Sequence, residues 1–242
     1  DRLIERLGLS RFTFFCSIYT LCMQRLSQLD DINVSVVFAN RNHAEFNEIV
    51  GSFVNTLFIN KKLSPIETVG EYLTDVHHSC MAMLDHQDIP RMVLNEMFPP
   101  DATKTTALAY AYQAGIDFDG SLAPGLTYAI EELYPGPVDD ATLLMEEGPD
   151  ALTSHMRFNP AFVDESTAQA ISKAFLTLVQ SIPDLLEEYA AKTSVVSATH
   201  AATLIQRSQA KETADRTATL IGLLVDQMKR TPDRCAVSDH AG

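Results

Sequence analysis

With 242 residues, 46% of them hydrophobic, the chain can bury the core of one full domain or of one and a half smaller ones. Its formal net charge of −14 argues against a role on nucleic acid or on an anionic membrane, because both require a positive surface. The chain begins at Asp1 rather than at a methionine and opens with no signal peptide, so we expect an excised fragment of a larger protein.

The four cysteines, Cys16, Cys22, Cys80 and Cys235, form no C-x-x-C pair and show no metal-ligand spacing. They predict reduced thiols in a cytoplasmic protein without a metal site. The most apolar run, residues 12–23, is too short to cross a bilayer and fits a buried helix.

The first predicted elements are a helix and two strands. Ser10 is a good N-cap for a helix that runs to about Gln28 and is apolar nearly all round, which predicts burial on more than one face. Residues 32–39 follow as a Val-rich, nearly continuous apolar run, typical of a strand buried on both sides. A second strand is predicted at 53–59.

A second helix is predicted after these strands. The letters S-P-I-E, beginning at Ser64, offer an N-cap, a proline at the first helical position and a glutamate at the third, which predicts a helix to about Asp85. Residues 86–90 break that helix, and a short helix follows at 91–97.

The second half of the chain reads as strands, a helix and a tail. Short runs between turn residues predict strands at 107–113, 127–133, 141–146 and 151–158. A helix at 165–186 has a kink or stop at Pro183. Residues 191–217 are rich in small and polar residues and read as a linker, and a last helix covers 219–229. The order of elements predicts an incomplete α/β domain, of the two-layer α+β type.

Four short stretches stand out as motifs. Residues 37–42 read V-F-A-N-R-N, residues 49–57 read I-V-G-S-F-V-N-T-L, residues 86–90 read H-Q-D-I-P and residues 157–164 read R-F-N-P-A-F-V-D. In this order and spacing they resemble the condensation domain of nonribosomal peptide synthetases. That family has the patterns A-N-R, I-G-x-F-V-N-T-L, H-Q-D-x-P and x-Y-N-x-x-L-F-D.

The resemblance covers residues 1–190 and implies the C-terminal lobe of such a domain. The family fold is a pseudo-dimer of two lobes resembling chloramphenicol acetyltransferase, with a tunnel between them, so one such lobe is expected here. Residues 191–217 would be the linker. Residues 218–242, which include K-R-T-P-D-R-C-A-V at 229–237, resemble the opening of an adenylation domain.

Two departures from the family pattern matter. The catalytic motif H-H-x-x-x-D-G lies in the family's N-terminal half and is absent here, so no catalytic residue is assigned and the fragment alone is expected to be inactive. The pair His77-His78 does not belong to such a motif, since Ala82 and Met83 stand where the motif has Asp and Gly. Residues 101–108 match only weakly the family's Arg- and Ser-rich stretch.

The resemblance also implies the chemistry and the partners. The family joins two substrates held as thioesters on the phosphopantetheine arms of carrier domains, by attack of the acceptor amine on the donor carbonyl, in the biosynthesis of secondary-metabolite peptides. The implied partners are the N-terminal lobe, the upstream and downstream carrier domains and the following adenylation domain. No cofactor would bind this lobe directly. The amino acids joined are not readable, because their selection rests largely with the adenylation core.

The motifs supply the candidate residues for the tunnel or for binding. They are Asn40, Arg41, Gly51, Phe53, Asn55, Thr56, His86, Gln87 and Asp88. For Asn55 two roles stay open, fixing the tunnel wall or setting strand register as a satisfied core amide. Arg41 could meet a phosphate or a carrier domain, or could pair with Glu45.

The remaining candidates have structural readings as well. Gly51 suits a tight turn or a close backbone approach. His86 could interact with a helix dipole, and Asp88 could cap the following short helix; ordering of this loop competes with direct substrate contact.

Three rival functions remain. An epimerisation domain shares the fold but abstracts a proton at the alpha carbon, and a non-catalytic carrier-docking module would lack the histidine motif altogether. A stand-alone acyltransferase is disfavoured by the adenylation-like tail. The F-V-N-T-L stretch together with that tail favours condensation.

Overall fold

The computed structural model describes residues 1–97, 107–114, 119–123, 125–129, 139–148, 151–208 and 219–232. The chain divides into two compact units, Asp1–Ser197 and Ala198–Gly242. The first unit holds the sheet and every candidate residue. In the second unit the described residues form two helices.

The described elements of the first unit are five α-helices, seven strands and two short 3₁₀ turns, Ala44–Glu48 and Ala190–Lys192. The helices are α1 (Arg2–Leu7), α2 (Arg11–Ser27), α3 (Val69–Leu84), α4 (Arg91–Met97) and α5 (Glu165–Leu185). The strands are β1 (Asp31–Phe38), β2 (Asn55–Lys62), β3 (Leu108–Ala114), β4 (Asp119–Ala123), β5 (Leu126–Ala129), β6 (Ala141–Glu147) and β7 (Leu152–Phe158).

The sequence did not predict α1 or β4. The predicted strand at 127–133 corresponds to β5, and its residues 130–133 lie outside the described part of the chain. The same is true of residues 101–106, in the stretch that departs from the family, of Cys235, and of the adenylation-like tail from residue 233 onward.

A five-stranded mixed sheet has the order β2-β1-β3-β6-β7, and β4 and β5 form a separate antiparallel pair. Strands β1, β3 and β6 run parallel, whereas β2 and β7 lie antiparallel at the two edges. The C-terminal ends of the parallel strands therefore meet the first residues of β2 and β7 at one end of the sheet. Ligands of open α/β sheets bind at such an end.

One layer of helices covers the sheet, with α2 in contact with both α3 and α5. Inward residues of alternate strand positions, such as Val34 and Val36, are fully buried against it. The predicted burial of α2 on more than one face is confirmed, since the consecutive residues Ile18, Tyr19, Thr20 and Leu21, which point to all sides of a helix, have no exposed surface. Helix and sheet are also joined by the Tyr19 hydroxyl, which donates to the carbonyl of Ala141 at 3.2 Å. The arrangement is the predicted two-layer one.

Helix α3 begins at Val69 and not after Ser64, so the predicted cap was wrong. The chain offers two capping sequences in succession, S-P-I-E and T-V-G-E, and the second one forms: Thr68 and Glu71 cap each other's backbone N–H groups reciprocally. In the first, the Glu67 carboxylate does accept the N–H of Ser64 at 2.5 Å while its other oxygen pairs with the Lys61 ammonium at 2.9 Å, but no helix begins there. Carbonyls of the segment after α5 complete the helix start, since the N–H groups of Val69 and Gly70 donate to them at 2.8 and 2.9 Å.

Pro183 does not stop α5, which continues to Leu185. A proline removes one helical hydrogen bond, but Leu178 and Ile182 on the same helix are fully buried and hold this end of the helix in the core. Residues 191–217, predicted as a linker, include part of a 3₁₀ turn at Ala190–Lys192 and the helix α6 (Ala198–Ser208).

The second unit contains α6 and α7 (Leu220–Arg230) among its described residues. Thr219 is the N-cap of α7 and accepts a hydrogen bond from the N–H of Gly222 at 3.1 Å, which confirms the predicted last helix. Of the helices in the described ranges, none has the length and apolar character needed to cross a bilayer.

Candidate functional site

The first three sequence motifs meet at one end of the sheet. Phe38, the last residue of β1, pairs directly with Asn55, the first residue of β2. The A-N-R stretch follows Phe38, and the loop of residues 86–90 joins α3 to α4 beside Asn55. The candidate residues, which span residues 40–88 of the sequence, are therefore brought together by the β1–β2 pairing and by side-chain contacts.

Asn55 connects the start of β2 to loop 86–90. Its amide nitrogen donates to the carbonyl of Gln87 at 2.8 Å and to the carbonyl of Ile89 at 2.7 Å. Its amide oxygen accepts the N–H of Thr56 at 3.0 Å. Both side-chain amide hydrogens are thus used by loop carbonyls, and the Asn55 side chain has no further N–H to offer a ligand.

Arg41 stabilises the turn that precedes β2. Its guanidinium donates to the carbonyls of Phe46, Ile49 and Gly51, the last at 2.9 Å. The same group lies 4.6 Å from the ring centre of Phe53, a cation–π contact. Within the described residues Arg41 forms no ion pair with Glu45, because backbone carbonyls occupy its planar donors instead.

Gly51 and Asn40 both have positive backbone φ angles, of 156° and 51°. At Gly51 a Cβ would meet no atom within 4 Å, so the turn requires glycine for its backbone conformation and not for a close approach. Asn40 lies in the left-handed region, which asparagine tolerates better than most residues. Its side-chain oxygen is buried and has no hydrogen-bond partner among the described residues.

Loop 86–90 is held by further side chains. Asp88 accepts a hydrogen bond from the side chain of Asn42 at 3.2 Å and does not cap α4, so that prediction was wrong. The Gln87 side chain donates to the carbonyl of Leu84 at the end of α3, at 3.0 Å. The His86 side chain is exposed. Ordering of the loop is therefore the role that these contacts support.

The histidine pair lies inside α3. His77 Nδ1 is 3.0 Å from the hydroxyl of Thr13 near the start of α2, and His78 is exposed. This contact joins two helices, in agreement with the prediction that His77-His78 is not the catalytic motif.

The same end of the sheet carries a second polar group that the sequence analysis missed. The Tyr112 hydroxyl on β3 donates to Glu147 at the end of β6 at 2.6 Å, and Arg11 pairs with the same carboxylate. Burial and the hydrogen bond to Glu147 raise the pKa of Tyr112 to about 12. These residues are far apart in sequence and belong to no motif, so no local signal could have joined them.

The contacts of Asn55 and Arg41 order the backbone of the site. The N–H groups of Asn55 and most of those of Arg41 are directed at main-chain carbonyls, which fixes two loops at the end of the sheet. Such an arrangement can shape one wall of a cavity and position partners.

Comparison with known proteins agrees with the motifs. The family model described as Condensation domain matches residues 1–112, which include every candidate residue. Malpinin synthetase of Mortierella alpina is 32% identical over 173 residues, covering 69% of this chain and 2% of that protein. Malpibaldin synthetase of the same organism is 26% identical over 241 residues, covering 97% of this chain and 4% of that protein.

Solved structures show the same fold. A four-domain nonribosomal peptide synthetase bound to AMP and glycine superimposes with a TM-score of 0.74 at 16% identity, over 99% of this chain and 20% of that one. The first condensation domain of the calcium-dependent antibiotic synthetase gives a TM-score of 0.66 at 14% identity, over 81% of this chain and 43% of that one. The predicted fold class, that of a chloramphenicol-acetyltransferase-like domain, is confirmed.

Proposed function

We propose that this chain, which carries a condensation domain homologous to those of nonribosomal peptide synthetases, is the C-terminal lobe of that domain. The observation that carries the proposal is the meeting of three family motifs at one sheet end, within the residues that the family model matches. Two facts support assignment to one lobe. The chain aligns with 43% of the antibiotic-synthetase condensation domain, and its sequence contains no H-H-x-x-x-D-G.

The proposed reaction is amide formation between two carrier-bound thioesters. The acceptor amine attacks the donor carbonyl, a C–N bond forms, the C–S bond breaks, and the donor arm leaves as a free thiol after the amine has lost a proton. A histidine of the N-terminal lobe would assist with that proton. This lobe would contribute proximity, because its ordered loops form one wall of the tunnel in which the arms meet.

The contacts of Arg41 indicate a structural role for this residue. Arg41 has three hydrogen bonds to carbonyls and a face against Phe53, so holding the turn at 46–51 is better supported than binding a phosphate. The phosphopantetheine arms belong to the partner carrier domains in this proposal.

The proposal also covers the rest of the chain and its partners. The chain spans only 2% and 4% of the two relatives compared above, so its partners are inferred and not observed. We assign residues 191–217 to a linker and 218–242 to the start of an adenylation domain. The similarity to malpibaldin synthetase extends over 97% of this chain and supports this modular order. A cytoplasmic location follows from the same assignment.

A non-catalytic carrier-docking module is the second candidate. It is favoured by one observation: the side-chain donors of Arg41 and Asn55 are directed at main-chain carbonyls, which orders the surface of the site. The comparisons do not favour an epimerisation domain.

One experiment separates these functions. The full-length protein is incubated in deuterated buffer with donor and acceptor carrier domains bearing aminoacyl thioesters, and both carriers are analysed by mass spectrometry. Condensation transfers the donor acyl group to the acceptor carrier. An epimerisation domain would instead introduce deuterium at the alpha carbon without transfer. A docking module would bind carriers, measurable by calorimetry, and change neither mass.

A further inference from the structure

Loop 86–90 is held by its own turn hydrogen bonds, such as that from the N–H of Ile89 to the carbonyl of His86 at 3.2 Å, and by side chains from other segments. It has no strand partner, and two of its carbonyls, those of Gln87 and Ile89, accept from the Asn55 amide. A third contact joins Asp88 to Asn42. The carbonyl of Gln87 is half-buried, so removal of the amide leaves it without this donor and loosens the connection between the loop and β2.

The loop in turn fixes where α4 begins. Arg91, the first residue of α4, lies with its guanidinium 5.4 Å from the ring centre of Phe58 on β2. Asn55 therefore contacts the loop and Phe58 contacts α4, and both residues lie on β2. A shift of the loop moves α4 relative to the end of the sheet.

We propose that Asn55 is a positioning residue for condensation: its amide holds loop 86–90 in the conformation that the tunnel requires, without touching substrate. The proposal rests on the proposed function and decides between the two roles left open by the sequence. Both N–H groups of Asn55 are already directed at the loop, so a direct contact from them to substrate would break the contacts that order it.

The chemistry of the amide makes the proposal specific. In Asn55→Ala both loop carbonyls lose their donor. In Asn55→Asp the side chain keeps its size and its bond to the N–H of Thr56, but a carboxylate oxygen replaces the donor beside two carbonyl oxygens. Repulsion between these oxygens should displace the loop further than a missing partner does.

The same strand offers a matched control. Asn60 also donates twice from its amide nitrogen, to Asp31 at 2.8 Å and to Asn33 at 3.0 Å. Its partners are side chains of β1 toward the other end of the strand pair, away from loop 86–90. Asn60→Ala and Asn60→Asp therefore remove similar bonds without touching the loop.

The test measures turnover and local hydrogen exchange in the full-length protein. We expect kcat/KM for amide formation to fall roughly tenfold in Asn55→Ala and further in Asn55→Asp, from the loss of two hydrogen bonds. We expect faster exchange confined to residues 86–92. The kcat/KM of the Asn60 variants should stay within about twofold of that of the protein without substitutions. Asn42→Ala, at an exposed position, should show a weaker effect of the same kind and serves if the Asn55 variants fold poorly.

Two results would overturn the proposal. One is unchanged exchange at 86–92 in Asn55→Asp together with normal turnover. The other is faster exchange along the whole β1–β2 ladder with 86–92 affected no more than the rest, which would show a register role. Failure of the proposed function is distinguishable, because the unchanged protein would then make no amide while the exchange measurement would still report whether Asn55 orders the loop.

Discussion

The side-chain nitrogen of Asn55 lies 2.7 Å from the carbonyl oxygen of Ile89, 34 residues further along the chain. This hydrogen bond joins the motif at 49–57 to the motif at 86–90. It gives a physical reason for an asparagine at the start of β2, since an amide supplies two N–H donors on one atom and the loop offers two carbonyls. The two motifs thus form one site at the end of the sheet.

Replacement of Arg41 by lysine should loosen the turn at 46–51. A lysine ammonium cannot reproduce the planar fork that reaches three carbonyls and stacks on Phe53. We expect Arg41→Lys to lower the free energy of unfolding by about 1–3 kcal/mol and to reduce amide formation. Denaturant unfolding and the condensation assay measure the two effects. Arg6→Lys on α1 is the control, and an equal loss there would contradict the account.

Lys61 should be important for stability, unlike its neighbour Lys62. Its ammonium contacts Glu67 at 2.9 Å and Asp75 at 2.7 Å and lies over the ring of Tyr72. Burial alone would lower the pKa of Lys61, but hydrogen bonds to the two carboxylates outweigh it and raise the pKa. Lys61→Met removes the cation beside the half-buried Glu67 carboxylate, which keeps only its hydrogen bond from the N–H of Ser64, so we expect a loss of about 2–3 kcal/mol.

The pH dependence of that loss has a defined sign. Because the folded-state pKa of Lys61 is raised above its ordinary value of 10.5, the stabilisation is complete below that pH and disappears only as the pH rises through the raised pKa. The difference in unfolding free energy between Lys61→Met and the unchanged protein should be constant from about pH 7 to 9. Lys62→Met, exposed on the same strand, should change stability by less than about 0.5 kcal/mol; a larger effect there would argue against a specific role for the buried pair.

Neither histidine of the His77-His78 pair should affect catalysis. His77→Ala removes a partner of the buried Thr13 hydroxyl and should cost about 1 kcal/mol of stability. The rate of amide formation per folded molecule should stay within about twofold in His77→Ala and in His78→Ala. Thermal melting and turnover are measured together. A large loss of turnover with an unchanged melt would assign the pair a catalytic role.

The buried thiols should resist alkylation in the folded protein. Burial raises the pKa of Cys22 to about 12, and a hydrogen bond with Cys80 together with burial raises that of Cys16. At pH 8 the reactive thiolate of Cys22 would be about one part in ten thousand. Iodoacetamide labelling read by peptide mass spectrometry should modify Cys16, Cys22 and Cys80 only after unfolding. Rapid labelling under native conditions would contradict their place in the core.

The sequence predicts well where local rules dominate. The cap at Ser10 and the break at 86–90 were placed correctly, because capping chemistry and helix breakers act over a few residues. The start of α3 was not, since Ser64 and Thr68 both open a capping sequence, and the first N–H groups of the helix that forms are satisfied by carbonyls more than 100 residues further along the chain.

The candidate site, too, could be predicted only where local sequence decides. Motif resemblance selected Arg41 and Asn55, but the sequence does not reveal that their donors point at backbone carbonyls up to 34 residues away. The Tyr112–Glu147 contact depends on the pairing of β3 with β6 and could not be found without the fold. Contacts of this kind are set by sheet order, on which local propensity has little influence.

The central claim is that this lobe belongs to a working condensation domain. The most direct measurement is the mass of the acceptor carrier after incubation with the full-length protein and a loaded donor carrier. It is compared with a variant in which the second histidine of the expected upstream H-H-x-x-x-D-G motif is replaced by alanine. We predict that the acceptor gains the mass of the donor acyl group, and that the variant loses this gain. An acceptor that stays unchanged with both proteins, or gains mass equally with both, would contradict the account.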